Sequence, residues 1–184
     1  MIQRRTILKT SALMISTAIA GTPILITPRQ ARATGAKFKT LTAAEVLCLE
    51  ALADVLLPGA RAAGVAHFVD DQLVKPPEDN LLLLRYLNVT LPAREFYGIG
   101  LAAMDEASRR ERSRSFAELT REDASALVRQ MQKNQITGWR GPSASTLYVA
   151  IRGDCIDVLY DGHDGATRLG IPMLGHTAPP PARW

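Results

Sequence analysis

Aromatic residues make up only 5% of this 184-residue chain, so any hydrophobic core must be mainly aliphatic. The three histidines, His67, His163 and His176, lie in different segments, and none has the partner spacing of a metal or nucleophile site. Glycine-rich phosphate cradles of the G-x-G-x-x-G or G-x-x-x-x-G-K type are missing, which excludes dinucleotide binding by those routes. C-x-x-C-H is missing as well, and with it covalent c-type haem on this chain. No dense basic stripe is present. The formal net charge is +4, but the first 33 residues contain Arg4, Arg5, Lys9, Arg29 and Arg32 and no acid, so the remaining 151 residues carry a net charge of −1. Such a domain lacks the cationic surface that phosphate-backbone binding requires, and nucleic acid is not an expected partner. What the chain does have, 47% hydrophobic and 22% charged residues, is the composition of one ordinary globular domain.

Residues 1–33 have the layout of an export signal. Arg4-Arg5 precedes Leu8-Lys9, an apolar stretch follows from Thr10 to Thr27, and Pro28 and Ala31-Arg32-Ala33 complete the series. Together these resemble a twin-arginine signal, with cleavage expected after Ala33; a second A-x-A at Ala18-Ile19-Ala20 lies inside the apolar stretch and ranks lower. As an anchor the stretch is weak. Its 18 residues barely reach across a hydrocarbon core of about 30 Å, and it contains several hydroxylated residues and a glycine. The twin-arginine route carries folded proteins, so its use implies that something folds or acquires a cofactor before crossing.

Residues 34–184 read as one helical domain. Thr42-Ala43-Ala44-Glu45 is a capping box that opens a helix ended by Pro58-Gly59. A shorter amphipathic helix covers Val65 to Val74, with His67 on its polar side, and Pro76-Pro77 breaks the chain. Leu81-Leu82-Leu83-Leu84 begins a mostly helical region interrupted at Pro92, with separate helices on either side. The charged run Arg109–Arg114 reads as a solvated helix end, Thr120 starts another helix, Gly138–Pro142 forms a turn, and Ser145 to Tyr160 is the final long helix. No strand-period alternation or internal repeat is evident. The expected fold is all-α, an irregular bundle of about five or six helices with an extended Gly/Pro-rich C-terminal tail.

Cys48 and Cys155 each align with an apolar helical stripe, leaving three alternatives open: buried thiols, an internal disulfide, or a bridge to another subunit. If the two helices touch, closing so long a loop is worth about 4–5 kcal/mol in the chain-entropy view. Asp154, Asp157, Asp161 and Asp164 do not follow the ligand spacing of a calcium loop and read as solvated carboxylates. No catalytic, cofactor-binding or metal-ligating residue is expected on this chain.

The order of these elements resembles the gluconate 2-dehydrogenase subunit 3 family. The resemblance rests on the twin-arginine leader, the helix from Leu41-Thr42-Ala43-Ala44-Glu45 to Leu57-Pro58-Gly59, and Ala63-Gly64-Val65 with Phe68-Val69-Asp70-Asp71-Gln72-Leu73. It continues through Phe116-Ala117-Glu118-Leu119 to Tyr160 and Leu169-Gly170-Ile171-Pro172, without the tryptophan that usually precedes this last element. It implies a non-catalytic small subunit bound to a large FAD-dependent dehydrogenase of the glucose–methanol–choline type, often with a multihaem cytochrome c. FAD then belongs to the large subunit and haem c to the cytochrome. The leader suggests that this chain takes a folded flavoprotein through the twin-arginine translocase to the periplasm, where the complex associates with the inner membrane. Trp139, Tyr148, Tyr160, Leu169, Pro172 and Trp184 are the expected partner contacts, since Trp and Tyr suit interface anchors, with packing against their own domain as the alternative. The alternatives are a stand-alone periplasmic small-ligand-binding protein and a transient maturation chaperone.

Overall fold

A computed structural model describes residues 13–19, 22–161, 165 and 167–170. They form a helical bundle with one small hairpin. Strands β1 (Ile15–Ile19) and β2 (Thr22–Ile26) pair antiparallel, with Ile15 opposite Ile26. Seven α-helices follow: α1 (Pro28–Ala33), α2 (Ala43–Leu56), α3 (Ala60–Ala63), α4 (Val65–Leu73), α5 (Ala93–Arg112), α6 (Arg121–Gln132) and α7 (Ala144–Tyr160). Short 3-10 turns lie at Leu83–Tyr86 and Phe116–Glu118. The all-α reading holds. Among the described residues no helix is long and apolar enough to cross a membrane.

Local signals explain most boundaries. Thr42 and Glu45 cap α2 reciprocally, and the Asp54 carboxylate accepts from the Gly59 amide in the turn that ends it. Thr120 and Ser143 cap α6 and α7 through their side chains. Pro92 is the N-cap of α5, so the interruption read at this position is a helix start. The run Leu81–Leu84 departs from expectation, because Leu81 and Leu82 are not helical, Leu82 being extended, and the 3-10 turn begins only at Leu83. The charged end of α5 is tied down by an ion pair from Arg112 to Asp123 and by Arg110 donating to the carbonyl of Thr137.

Helix α2 is central, packing against α3, α4, α5, α6, α7 and the turn at Phe116. Its Leu49, Leu52 and Ala53 are fully buried and join Phe68, Tyr97, Met104, Phe116, Leu147 and Ile151 in one core. Burying each large side chain contributes about 1.5–3 kcal/mol, which offsets much of the ordering entropy.

The segment read as a leader contributes to this core. From Leu13 it forms the hairpin and α1, and β1 packs on α4 while α1 packs on α3 and α4. Ile15 and Ala31 are buried. The strands escaped the sequence reading because an apolar stretch punctuated by small residues fits a signal segment as well as a hairpin. The N-terminal residues Arg4, Arg5, Leu8 and Lys9 lie outside the described residues.

Candidate partner-docking surface

The candidate surface is built on three consecutive amides. Gln72 Oε1 accepts from Leu81 N at 2.9 Å, Asn80 Oδ1 from Leu82 N at 3.2 Å, and Asp154 Oδ1 from Leu83 N at 3.1 Å. All three side chains are buried. Their net effect is to fix a turn that would otherwise expose unpaired backbone groups in a dry setting. Gly153 lets the turn lie directly on α7, since a Cβ there would come within 2.3 Å of the Leu83 side chain. With the backbone fixed, Leu82 and Leu84 point into the core, while Leu81 (50% exposed) and Tyr86 (71% exposed) face solvent. The Arg85 guanidinium lies 5.9 Å from the Tyr86 ring centroid.

Leu81 and Tyr86 line a groove of about 480 Å³ together with Leu13, Phe68, Ile156 and Tyr160. Asp157 and Asp161 supply its acidic rim. Burial, with the Asp161 charge adding to it, raises the Asp157 carboxyl above the usual carboxylate range. Asp161 accepts from the Leu13 amide, so the start of the described chain closes one side.

Of the residues expected to meet a partner, Tyr160 lines this groove. Trp139 and Tyr148 do not. They are partly buried against the core, and the Trp139 indole donates to the Pro142 carbonyl within its own turn. Tyr148 lies twelve residues before Tyr160 on α7, about 18 Å along the axis. Leu169 is exposed beyond α7, and Pro172 and Trp184 lie outside the described residues. Leu81 and Tyr86 were not singled out by the sequence; the run of four leucines was the available signal, but helical periodicity does not tell that the chain is not helical at Leu81 and Leu82 and turns only from Leu83.

Two of the candidate chemical residues, His67 and Asp154, are buried in this fold. His67 lies on the polar side of α4 and is nevertheless buried, because the loop after α1 covers that side. Its Nε2 meets the Ala36 carbonyl at 3.0 Å, its ring lies 4.3 Å from that of Phe38, and its Nδ1 is buried without a hydrogen-bond partner. Burial lowers its pKa, opposed by the Ala36 hydrogen bond. His163 and His176 lie outside the described residues. Asp154, expected to be solvated, is fully buried and accepts from the Tyr97 hydroxyl as well as from Leu83 N. Burial raises its pKa to about 7, against the lowering effect of those two hydrogen bonds. Asp164 is outside the described residues.

Cys48 and Cys155 are both free and buried; the Cys48 thiol donates to the Leu101 carbonyl. Burial raises both thiol pKa values, with Asp105 near Cys48 and Asp154 near Cys155 adding to it, so neither is a ready nucleophile. Among the described residues, no group of three or more His, Cys, Asp or Glu side chains could hold a metal ion.

A model of the family described as Gluconate 2-dehydrogenase subunit 3 matches residues 43–170. The chain belongs to the gluconate 2-dehydrogenase subunit 3 family. The matched stretch runs from the first residue of α2 through α7 and includes the polar staples at Gln72, Asn80 and Asp154. No curated protein and no solved structure matches the chain.

Proposed function

We propose that this member of the subunit 3 family is the non-catalytic small subunit of a periplasmic FAD-dependent sugar, sugar-acid or polyol dehydrogenase of the glucose–methanol–choline type. It binds and stabilises the folded flavoprotein and carries it through the twin-arginine translocase. FAD resides on that large subunit, haem c on a cytochrome subunit where one is present, and the complex associates with the inner membrane. The family match over residues 43–170 carries this reading. The groove at Leu81, Tyr86 and Tyr160 supports it: a firmly held turn presents exposed apolar and aromatic groups next to Asp157, which suits an apolar anchor with a basic neighbour.

The test is affinity purification of the C-terminally tagged chain from the periplasm of its native host, read by absorption spectrum and mass spectrometry. A parallel strain carries Arg4→Lys and Arg5→Lys. A flavoprotein should co-purify and should disappear from the periplasm of the parallel strain. A colourless chain that emerges alone, with no flavoprotein affected, would overturn the subunit reading and favour a small-ligand binder; substoichiometric flavoprotein would favour a transient chaperone. Tyr86→Glu then tests the surface. It should reduce flavoprotein recovery at least tenfold, consistent with loss of a central aromatic anchor, while the melting temperature of the purified chain stays unchanged.

A further inference from the structure

We propose that residues 13–19 and 22–33 are a structural strap of the folded protein, seated on a receptor face formed by α3, α4 and Glu50 of α2, and that once seated they close the Ala33–Thr34 bond to signal peptidase. The proposal concerns the folded chain and does not depend on its partner or route.

The receptor face is shaped for this occupant. Gly64, at φ +89°, joins α3 to α4, and a Cβ on it would come within 2.1 Å of the Pro28 carbonyl oxygen, so the first residue of α1 lies directly against a backbone that only glycine leaves open. Every residue of α4 from Val65 to Gln72 is buried, although the helix carries His67, Asp70 and Asp71. A short helix of this composition ordinarily leaves such a face in water. Here the face is covered, and its polar groups meet the covering chain. Asp71 accepts from the Ser16 amide of β1 and pairs with Lys75 and Lys39. The loop that continues from the strap is held in turn, with His67 on the Ala36 carbonyl and Asp70 accepting from the amides of Lys39, Thr40 and Leu41. Glu50 of α2 binds Arg32 of the strap and Arg61 of α3. Ile15 and Ala31 complete the seating as buried apolar contacts.

The consequence for processing follows from the local backbone. Ala31-Arg32-Ala33 ends α1, and Thr34 donates to the Gln30 carbonyl through both its amide at 3.0 Å and its hydroxyl at 2.9 Å. Ala36 N donates to the Ala31 carbonyl at 2.9 Å. A peptidase needs this stretch free of internal hydrogen bonds and exposed, but here it is helical with Ala31 fully buried. Removing residues 1–33 would also take Leu13 from the groove and leave Asp71 without its Ser16 partner.

Hydrogen–deuterium exchange on the folded full-length chain is the direct test. Peptides covering residues 13–36 should exchange at least a hundredfold more slowly than the same sequence as a free peptide. Free-peptide rates there, with α7 still protected, would overturn the proposal. The second measurement exposes the folded chain to signal peptidase beside an Ile15→Asp variant, which leaves Ala31-Arg32-Ala33 intact. The wild type should resist and the variant, its strap exchanging freely while α7 stays protected, should be cut after Ala33. Cleavage of both at the same rate, or resistance of a variant whose strap is released, would show that seating does not close the bond.

Discussion

Helix α4 separates two surfaces that are finished in different ways. On one side its acids and histidine are met by the chain's own residues 15–41, through backbone amides, Lys39 and one carbonyl. On the other side the buried Phe68 lies beneath a groove whose backbone is held from below, by Gln72, Asn80 and Asp154 on consecutive leucine amides, leaving apolar groups and an acidic rim outside. The first surface is satisfied internally. The second spends its buried polar groups on holding a shape and exposes the groups that a partner can bury. Buried polar side chains thus mark the scaffold in both places, and the exposed aromatic marks the surface for binding.

Two substitutions would break the comparison at its strongest points. Asp70→Ala should have the largest effect, because one carboxylate accepts from three consecutive amides, of which Leu41 N is buried. Leaving them unpaired should cost about 3–5 kcal/mol, read as a fall of roughly 10 °C in melting temperature. Asp154→Leu should cost about 2–4 kcal/mol at pH 5, since it orphans the buried Tyr97 hydroxyl and Leu83 N. Asp154→Asn retains an acceptor for Leu83 N and reverses the Tyr97 contact, its amide donating to the hydroxyl oxygen, so it should cost less than Asp154→Leu and should change the pH dependence. Burial raises Asp154 from an ordinary 3.8 to about 7. Between those values the folded state holds a proton that the unfolded state has lost, so this group's contribution to stability is present below about pH 4 and is lost as pH rises through 7. Denaturant melts from pH 4 to 8 should show a downward slope in the wild type that Asp154→Asn removes, leaving the variant relatively more stable at pH 8 than at pH 5.

The elements with strong local chemistry were legible in the sequence. The capping box at Thr42 and Glu45, the Gly59 turn, the N-cap at Thr120 and the limits of α4 and α7 all lie within a residue or two of where spacing placed them. Other features depend on what lies across a contact. Asp154 reads as a solvated acid in a run of aspartates because nothing local announces Tyr97 on another helix. His67 reads as a polar-side residue, and its burial is not legible because the segment that covers it is 31 residues away in sequence. Leu81–Leu84 is apolar under any assignment, and the backbone course that exposes Leu81 is set by Gly153 and by side chains nine residues before and 71 residues after the amides they hold. The groove was invisible for the same reason: its residues come from the first described segment, α4, the leucine turn and the end of α7.

The smallest expected effect sharpens the account of how the strap is held. Arg32 is the strap's only ion-pairing residue among those described, and its side chain is 30% exposed. An ion pair that open to solvent is screened and contributes at most about 1 kcal/mol. Glu50, more deeply buried, keeps Arg61 as a partner when Arg32 is removed. Arg32→Ala should therefore lower stability by less than about 1 kcal/mol and leave the exchange protection of residues 13–36 nearly intact, whereas Ile15→Asp, which puts a charge where an apolar side chain is buried, should release the segment. If Arg32→Ala released it as fully as Ile15→Asp does, the polar groups would be holding the strap and apolar burial would be secondary. Equal and small effects of both would mean that the three amides on Asp70 already fix the chain where it enters the domain, and that the hairpin beyond adds little.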